Sequence, residues 1–117
     1  MTDEQLMLIA IEEAKLAEGH GDIPIGALVV IKGDIVSSRH NERELQSDPT
    51  AHAEVLAIQD AAKKLGTSRL DGAVLVSTLE PCPMCAGAAL SARLGRVVFG
   101  AEDPKAGALG SLYQLGS

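Results

Sequence analysis

His52-Ala53-Glu54 and Pro81-Cys82-Pro83-Met84-Cys85 constrain this chain more than any other part of it. They bring one imidazole and two thiols, a ligand set suited to zinc, together with a carboxylate that need not be a ligand. If all three bind one ion, the two segments must meet at a point and the fourth tetrahedral position stays open for water. That is the layout of a catalytic metal site. A closed structural site needs a fourth protein ligand, and the chain has no third cysteine, with only His20 and His40 as further imidazoles. Glu54 is then free to move protons.

The spacing says how the segments are presented. At i and i+3, Cys82 and Cys85 are neighbours at the start of a helix, so both sulfurs reach one ion at its N-terminus. His52 and Glu54, at i and i+2, point about 200° apart around a helix of 3.6 residues per turn, so they cannot share a mid-helix face. They must act end-on. Two helix N-termini converging on the ion would add exposed amides and positive dipole ends, which favour thiolate and ionised water.

The rest of the chain supplies elements for such a site. Thr2 and Gln5 form a capping box, and Leu6, Met7, Ile9, Ala10, Ala14 and Ala17 recur at helical spacing until Gly19. Ile25 to Ile31 is apolar and β-branched, Lys32-Gly33-Asp34 is turn chemistry, and Ile35 to Arg39 completes an antiparallel hairpin. Asp48-Pro49-Thr50 leads into a helix from Ala51 to Leu65 that places His52 and Glu54 in its first turn and closes at Gly66. A strand from Ala73 to Thr78, a helix from Met84 to about Arg93 and a strand from Arg96 to Gly100 follow. Helices alternating with strands predict an α/β fold, a three-layer α/β/α sandwich on a mixed sheet that begins with the hairpin. His20 is expected to end the first helix, and His40 to be exposed.

Composition sets limits on function. At 117 residues and 46% apolar content the chain reads as one domain over 1–117. No apolar run reaches the roughly 20 residues of a membrane helix, and Asp3 and Glu4 replace the basic start of a secretory leader, so the expected compartment is the cytoplasm, without membrane contact. Thiols stay reduced there. A net charge of −6 argues against broad phosphate binding, and one Phe, one Tyr and no Trp leave little for stacking unpaired bases. Any base contact falls to aliphatic walls.

Each signal also has an ordinary explanation. A lone Cys-x-x-Cys between strand and helix is equally a thioredoxin-like redox pair, a lone first-turn His is a cap or surface residue, and Glu54 alone is common N-terminal helix charge. Their conjunction is different. His-x-Glu before one helix and Pro-Cys-x-x-Cys at the next strand-to-helix junction form the signature of zinc nucleobase deaminases.

Pro49 to Glu54 and Thr78 to Ala88 closely resemble the bacterial tRNA adenosine deaminases, a family of the cytidine deaminase-like fold. The likeness extends to Ile23-Pro24-Ile25-Gly26-Ala27, Asn41, and Val97 to Ala101 with Asp103, Lys105 and Gly107. It implies that His52, Cys82 and Cys85 hold one zinc ion per subunit and that Glu54 carries protons as adenosine becomes inosine at the tRNA wobble position. It further implies that Asn41 and the Ala53 amide contact a flipped nucleoside, that Ile23 and Leu79 form pocket wall, and that Asp103 and Lys105 sit in a loop meeting nucleic acid. Arg39, Arg43, Arg93 and Arg96 would be candidates for phosphates. Without the resemblance, Ile23 and Leu79 read as packing residues, Asn41 as a turn residue and the charged groups as solvated surface. Glu80, beside the site, reads as a bystander or as support for the ligands.

The family is homodimeric and continues with a further strand and a basic C-terminal helix, so 1–117 is expected to be a deaminase domain lacking that ending. The same motif serves cytosine, cytidine and guanine deaminases, a form acting on single-stranded DNA, and a catalytically impaired zinc-stabilised module that only binds nucleic acid.

Overall fold

A computed structural model of the chain describes residues 1–101. Its elements are α1 (Asp3–Lys15), β1 (Gly26–Ile31), β2 (Asp34–His40), a short α2 (Arg43–Gln46), α3 (Ala53–Leu65), β3 (Val74–Leu79), α4 (Pro83–Ser91) and β4 (Arg96–Ala101). The four strands form one sheet in the order β2-β1-β3-β4. β1 is antiparallel to both β2 and β3, and only β3 and β4 run parallel, joined through α4. The sheet is mixed and opens with the expected hairpin. Its two-residue turn puts both Lys32 (φ 51°) and Gly33 (φ 81°) in the left-handed region, the twist that suits a tight hairpin.

Period-two alternation along the central strands divides the core into two layers. Ala27, Val29 and Leu75 face α3 and α4 and pack with Ala53, Ala57, Ile58, Ala61, Ala89 and Ala92. Leu28, Val30 and Val76 face the other way, against Leu6 and Ala10 of α1. The three-layer α/β/α arrangement follows directly.

α1 begins with the predicted capping box: Thr2 Oγ1 accepts from the Gln5 amide at 3.2 Å, and Gln5 Oε1 accepts from the Thr2 amide at 2.8 Å. It ends earlier than the apolar pattern indicates, passing into a 3-10 turn over Leu16–His20 that closes at Gly21 (φ 78°). His20 thus ends this turn, and His40 is not exposed; its ring is largely buried against Glu13 and His20. Helix α3 starts at Ala53, two residues later than its composition suggests, because Asn41 Oδ1 accepts the Ala53 N–H at 2.8 Å and leaves His52 in extended geometry (φ −77°, ψ 146°). The helix α2 has no apolar period to announce it. Asp103 and Lys105 lie outside the described residues.

Gly26 sets the spacing between layers. A Cβ there would strike the Ala10 carbonyl oxygen and sit 2.7 Å from the Ala14 amide nitrogen, both backbone atoms of α1. No rotamer change relieves such an overlap. Gly26→Ala is expected to lower stability by about 2 kcal/mol, the ordinary range for overpacking. Urea unfolding, with the midpoint shifted and the slope unchanged, checks this.

Candidate metal centre

His52 and Cys82 occupy equivalent places. Each is the residue before the first turn of its helix, α3 or α4, each has extended backbone, and neither side chain caps its own helix. A serine or aspartate at such a position would fold back onto the amides. Here the side chains project beyond the helix ends instead. Pro83 follows Cys82 at the first helical position, where its missing N–H costs nothing. Cys85, one turn in, is fully buried and points the same way.

The three ligand atoms form a nearly equilateral triangle. Cys82 Sγ lies 3.7 Å and Cys85 Sγ 3.5 Å from His52 Nδ1, and the sulfurs are 3.6 Å apart. Tetrahedral zinc, with bonds of about 2.3 Å to sulfur and about 2.0 Å to nitrogen, requires edges of about 3.8 Å between sulfurs and about 3.5 Å from sulfur to nitrogen. The donor set therefore fits zinc in both chemistry and dimensions. Neither cysteine is in a disulfide, and the sulfur separation is far from the ~2 Å of an S–S bond.

The electrostatics suit an arriving cation. The two sulfurs share a proton unequally: Cys85, His52 and the Cys85 backbone amide together hold Cys82 down at about 4. Cys85 is pushed well above the ordinary thiol range, by its bond to Cys82 and then by burial. His52 is raised, chiefly by its bond to Cys82 against the opposing effect of burial. Glu54, in the first turn of α3, is only 3% exposed, and its Oε1 has no hydrogen-bond partner. Burial raises its pKa, so it holds a proton more readily than a surface carboxylate. An orphaned carboxylate oxygen beside three converging ligands fits a site built to receive a metal and its water.

Other predicted residues are placed around this centre. Ile23, Asn41 and His52 line one pocket of about 140 Å³, with Gly21, Asp22, Ile25, Arg43 and Glu44. Asn41 is buried and tied to Ala53 by the bond that starts α3. Leu79 ends β3 half-buried, outside the lining of this pocket. Glu80 is buried, its amide donating to Ala101 at 2.8 Å. Arg39 is engaged by Asp60 (2.7 Å) and Glu42 (2.8 Å), and Arg96 by Asp3 (2.9 Å). Sequence reading missed Asp22, whose carboxylate receives the backbone amides of Glu44 and Leu45. No local signal announces a cap supplied from 22 residues upstream.

Residues 1–101 match the cytidine and deoxycytidylate deaminase zinc-binding region. The chain belongs to this deaminase family. Within the family it is 56% identical over 113 residues to a tRNA-specific adenosine deaminase of Bacillus subtilis (strain 168), covering 97% of this chain and 70% of that protein. A solved structure of a tRNA:A34 deaminase, from work on A-to-I editing at the wobble position, matches with a TM-score of 0.89 and 44% identity over 92% of this chain and 78% of that one. The Bacillus subtilis guanine deaminase structure matches with a TM-score of 0.83 and 41% identity over 87% and 66%. Among the described residues of this deaminase, no helix is long and apolar enough to cross a membrane.

Proton competition governs metal loading. Cys82 needs no deprotonation near neutrality, whereas Cys85 must surrender a proton, and His52 must also be neutral. Affinity for zinc is thus expected to strengthen by more than tenfold per pH unit through neutrality, where Cys85 and the raised His52 both give up protons, and to ease toward about tenfold once His52 is neutral. Competition against a chelator of known affinity, repeated across pH, checks the slope.

Proposed function

We propose that this chain is a zinc-dependent hydrolytic deaminase that converts adenosine to inosine in RNA, with the wobble position of tRNA as its natural target. The observation that carries the reading is the 3.5–3.7 Å ligand triangle with a buried, unpartnered Glu54 oxygen beside it. High identity to tRNA-specific adenosine deaminases supports adenosine as the base.

His52, Cys82 and Cys85 hold the ion. Bound there, zinc supplies Lewis acidity that makes a coordinated water acidic near neutral pH. Glu54 Oε1 accepts a proton from water within the closed site and returns it to the base, so that water replaces the amino group and ammonia leaves. Burial suits the return of the proton, since it raises the carboxylate pKa and lets Glu54 hold a proton more readily than a surface carboxylate. Asn41, whose Oδ1 already holds the Ala53 amide, turns its side-chain N–H to the nucleoside, Ile23 supplies apolar wall, and Asp103 and Lys105 meet the flanking strand. The reading includes one zinc per chain, a cytoplasmic location expected from composition, and a homodimer carried by the resemblance.

A guanine deaminase is the second reading, favoured by the 41% identity to such an enzyme. Incubation with an adenosine-containing anticodon stem-loop, a cytidine-containing strand and free guanine, with each product quantified, separates them. Inosine alone is expected; xanthine alone would replace the proposal. Glu54→Ala is expected to keep stoichiometric zinc while turnover falls by about 10²–10⁴-fold. Cys82→Ala should instead lose metal, as read by atomic absorption.

A further inference from the structure

Four side chains, of which Asp22 lines the same pocket as His52, form a single line of hydrogen bonds. Asp22 Oδ2 lies 2.7 Å from His20 Nδ1, His20 Nε2 lies 3.1 Å from His40 Nε2, and His40 Nδ1 lies 2.6 Å from Glu13 Oε2. Three contacts need three hydrogens, whereas two neutral imidazoles bring only two. All three bonds can form together only while the line carries one extra proton, whichever atom holds it. Other charged groups confine it: Glu42 Oε2 lies 4.0 Å from His40 Nε2 and is itself paired with Arg39, while Ser38 Oγ donates to Glu13 Oε1 at 2.7 Å.

One end of this line touches the pocket. Asp22 is buried, and besides His20 it receives the Glu44 amide (2.9 Å, on Oδ1) and the Leu45 amide (3.2 Å, on Oδ2). Those bonds join two stretches of pocket wall, Gly21 to Ile25 and Asn41 to Glu44. They also fix the backbone just after Asn41, which carries Arg43 and Glu44 of the lining, beside the exposed Ile23. At the other end, His40 directly precedes Asn41 and is anchored to α1 through Glu13.

We propose that Asp22 is a positioning residue for the nucleoside pocket, held in place by the proton-bearing line Asp22–His20–His40–Glu13. The proposal rests on the deaminase reading above. It assigns Asp22 no contact with the reacting atoms. Its carboxylate holds the two walls at one separation, and loss of the extra proton sets Asp22 against an imidazole lone pair, loosening that grip.

The substitution Asp22→Asn isolates the proton. Its side-chain amide donates to His20 Nδ1, so two neutral imidazoles then supply every hydrogen the line needs, and only the longer bond from Leu45 is lost. The experiment uses zinc-loaded wild type, Asp22→Ala and Asp22→Asn. Stem-loop binding is measured by fluorescence anisotropy from pH about 6 to about 9. Turnover, zinc content and amide hydrogen exchange are measured in parallel. For Asp22→Ala the expected result is stoichiometric zinc, about tenfold weaker binding, kcat within about threefold, and at least about tenfold faster exchange at Glu44 and Leu45. Wild-type binding should weaken as pH rises, and Asp22→Asn should flatten that dependence. Unchanged exchange and binding in Asp22→Ala, or equal pH slopes in wild type and Asp22→Asn, would overturn the proposal. A wild type that binds but does not deaminate counts against the reaction and leaves the test of Asp22 intact.

Discussion

Everything in this fold that bears on chemistry depends on two helices starting at the same place. α3 and α4 leave different parts of the sheet, yet His52 and Cys82 end within 3.7 Å of each other. An N-terminal turn has amides to spare and a positive dipole end, so it is the natural place to gather thiolate and carboxylate. The same gathering buries Glu54 Oε1 without a hydrogen-bond partner and raises the Cys85 thiol, so both groups are poised for a cation.

Legibility from sequence followed the range of the interactions. The ligand trio and Glu54 were readable because motif spacing encodes where side chains emerge from a helix start. The capping box at Thr2 and the turn at Lys32-Gly33 were readable because each is complete within a few residues. What escaped depends on partners far apart in the chain. The start of α3 is set by Asn41, twelve residues earlier, and α2 owes its cap to Asp22. His40 looked exposed because it flanks a polar segment, yet Glu13 and His20 enclose its ring. The antiparallel pairing of β1 with β3 likewise has no local signature.

The acidic composition becomes less puzzling once the basic groups are placed. Arg39 is bound by two carboxylates, and Arg96 closes a 93-residue loop by pairing with Asp3. These cations serve the fold. Arg43, in contrast, lies in the pocket lining, next to the groups that would meet a nucleoside. Charge total is thus a poor guide here, because position decides which cations a polyanion can meet.

The alanines under α3 have a mechanical meaning. Ala53, Ala57 and Ala61 are each without solvent exposure and form a smooth track against the sheet, with Ala89 and Ala92 nearby from α4. A helix lying on methyl groups has little slack, and eight residues of it span about 12 Å. It behaves as a strut clamped along its length, with the metal ligand and the proton carrier mounted at its tip. Precision at the reacting centre is in this sense distributed, set by the smallest side chains of the core as much as by the residues that bear the chemistry.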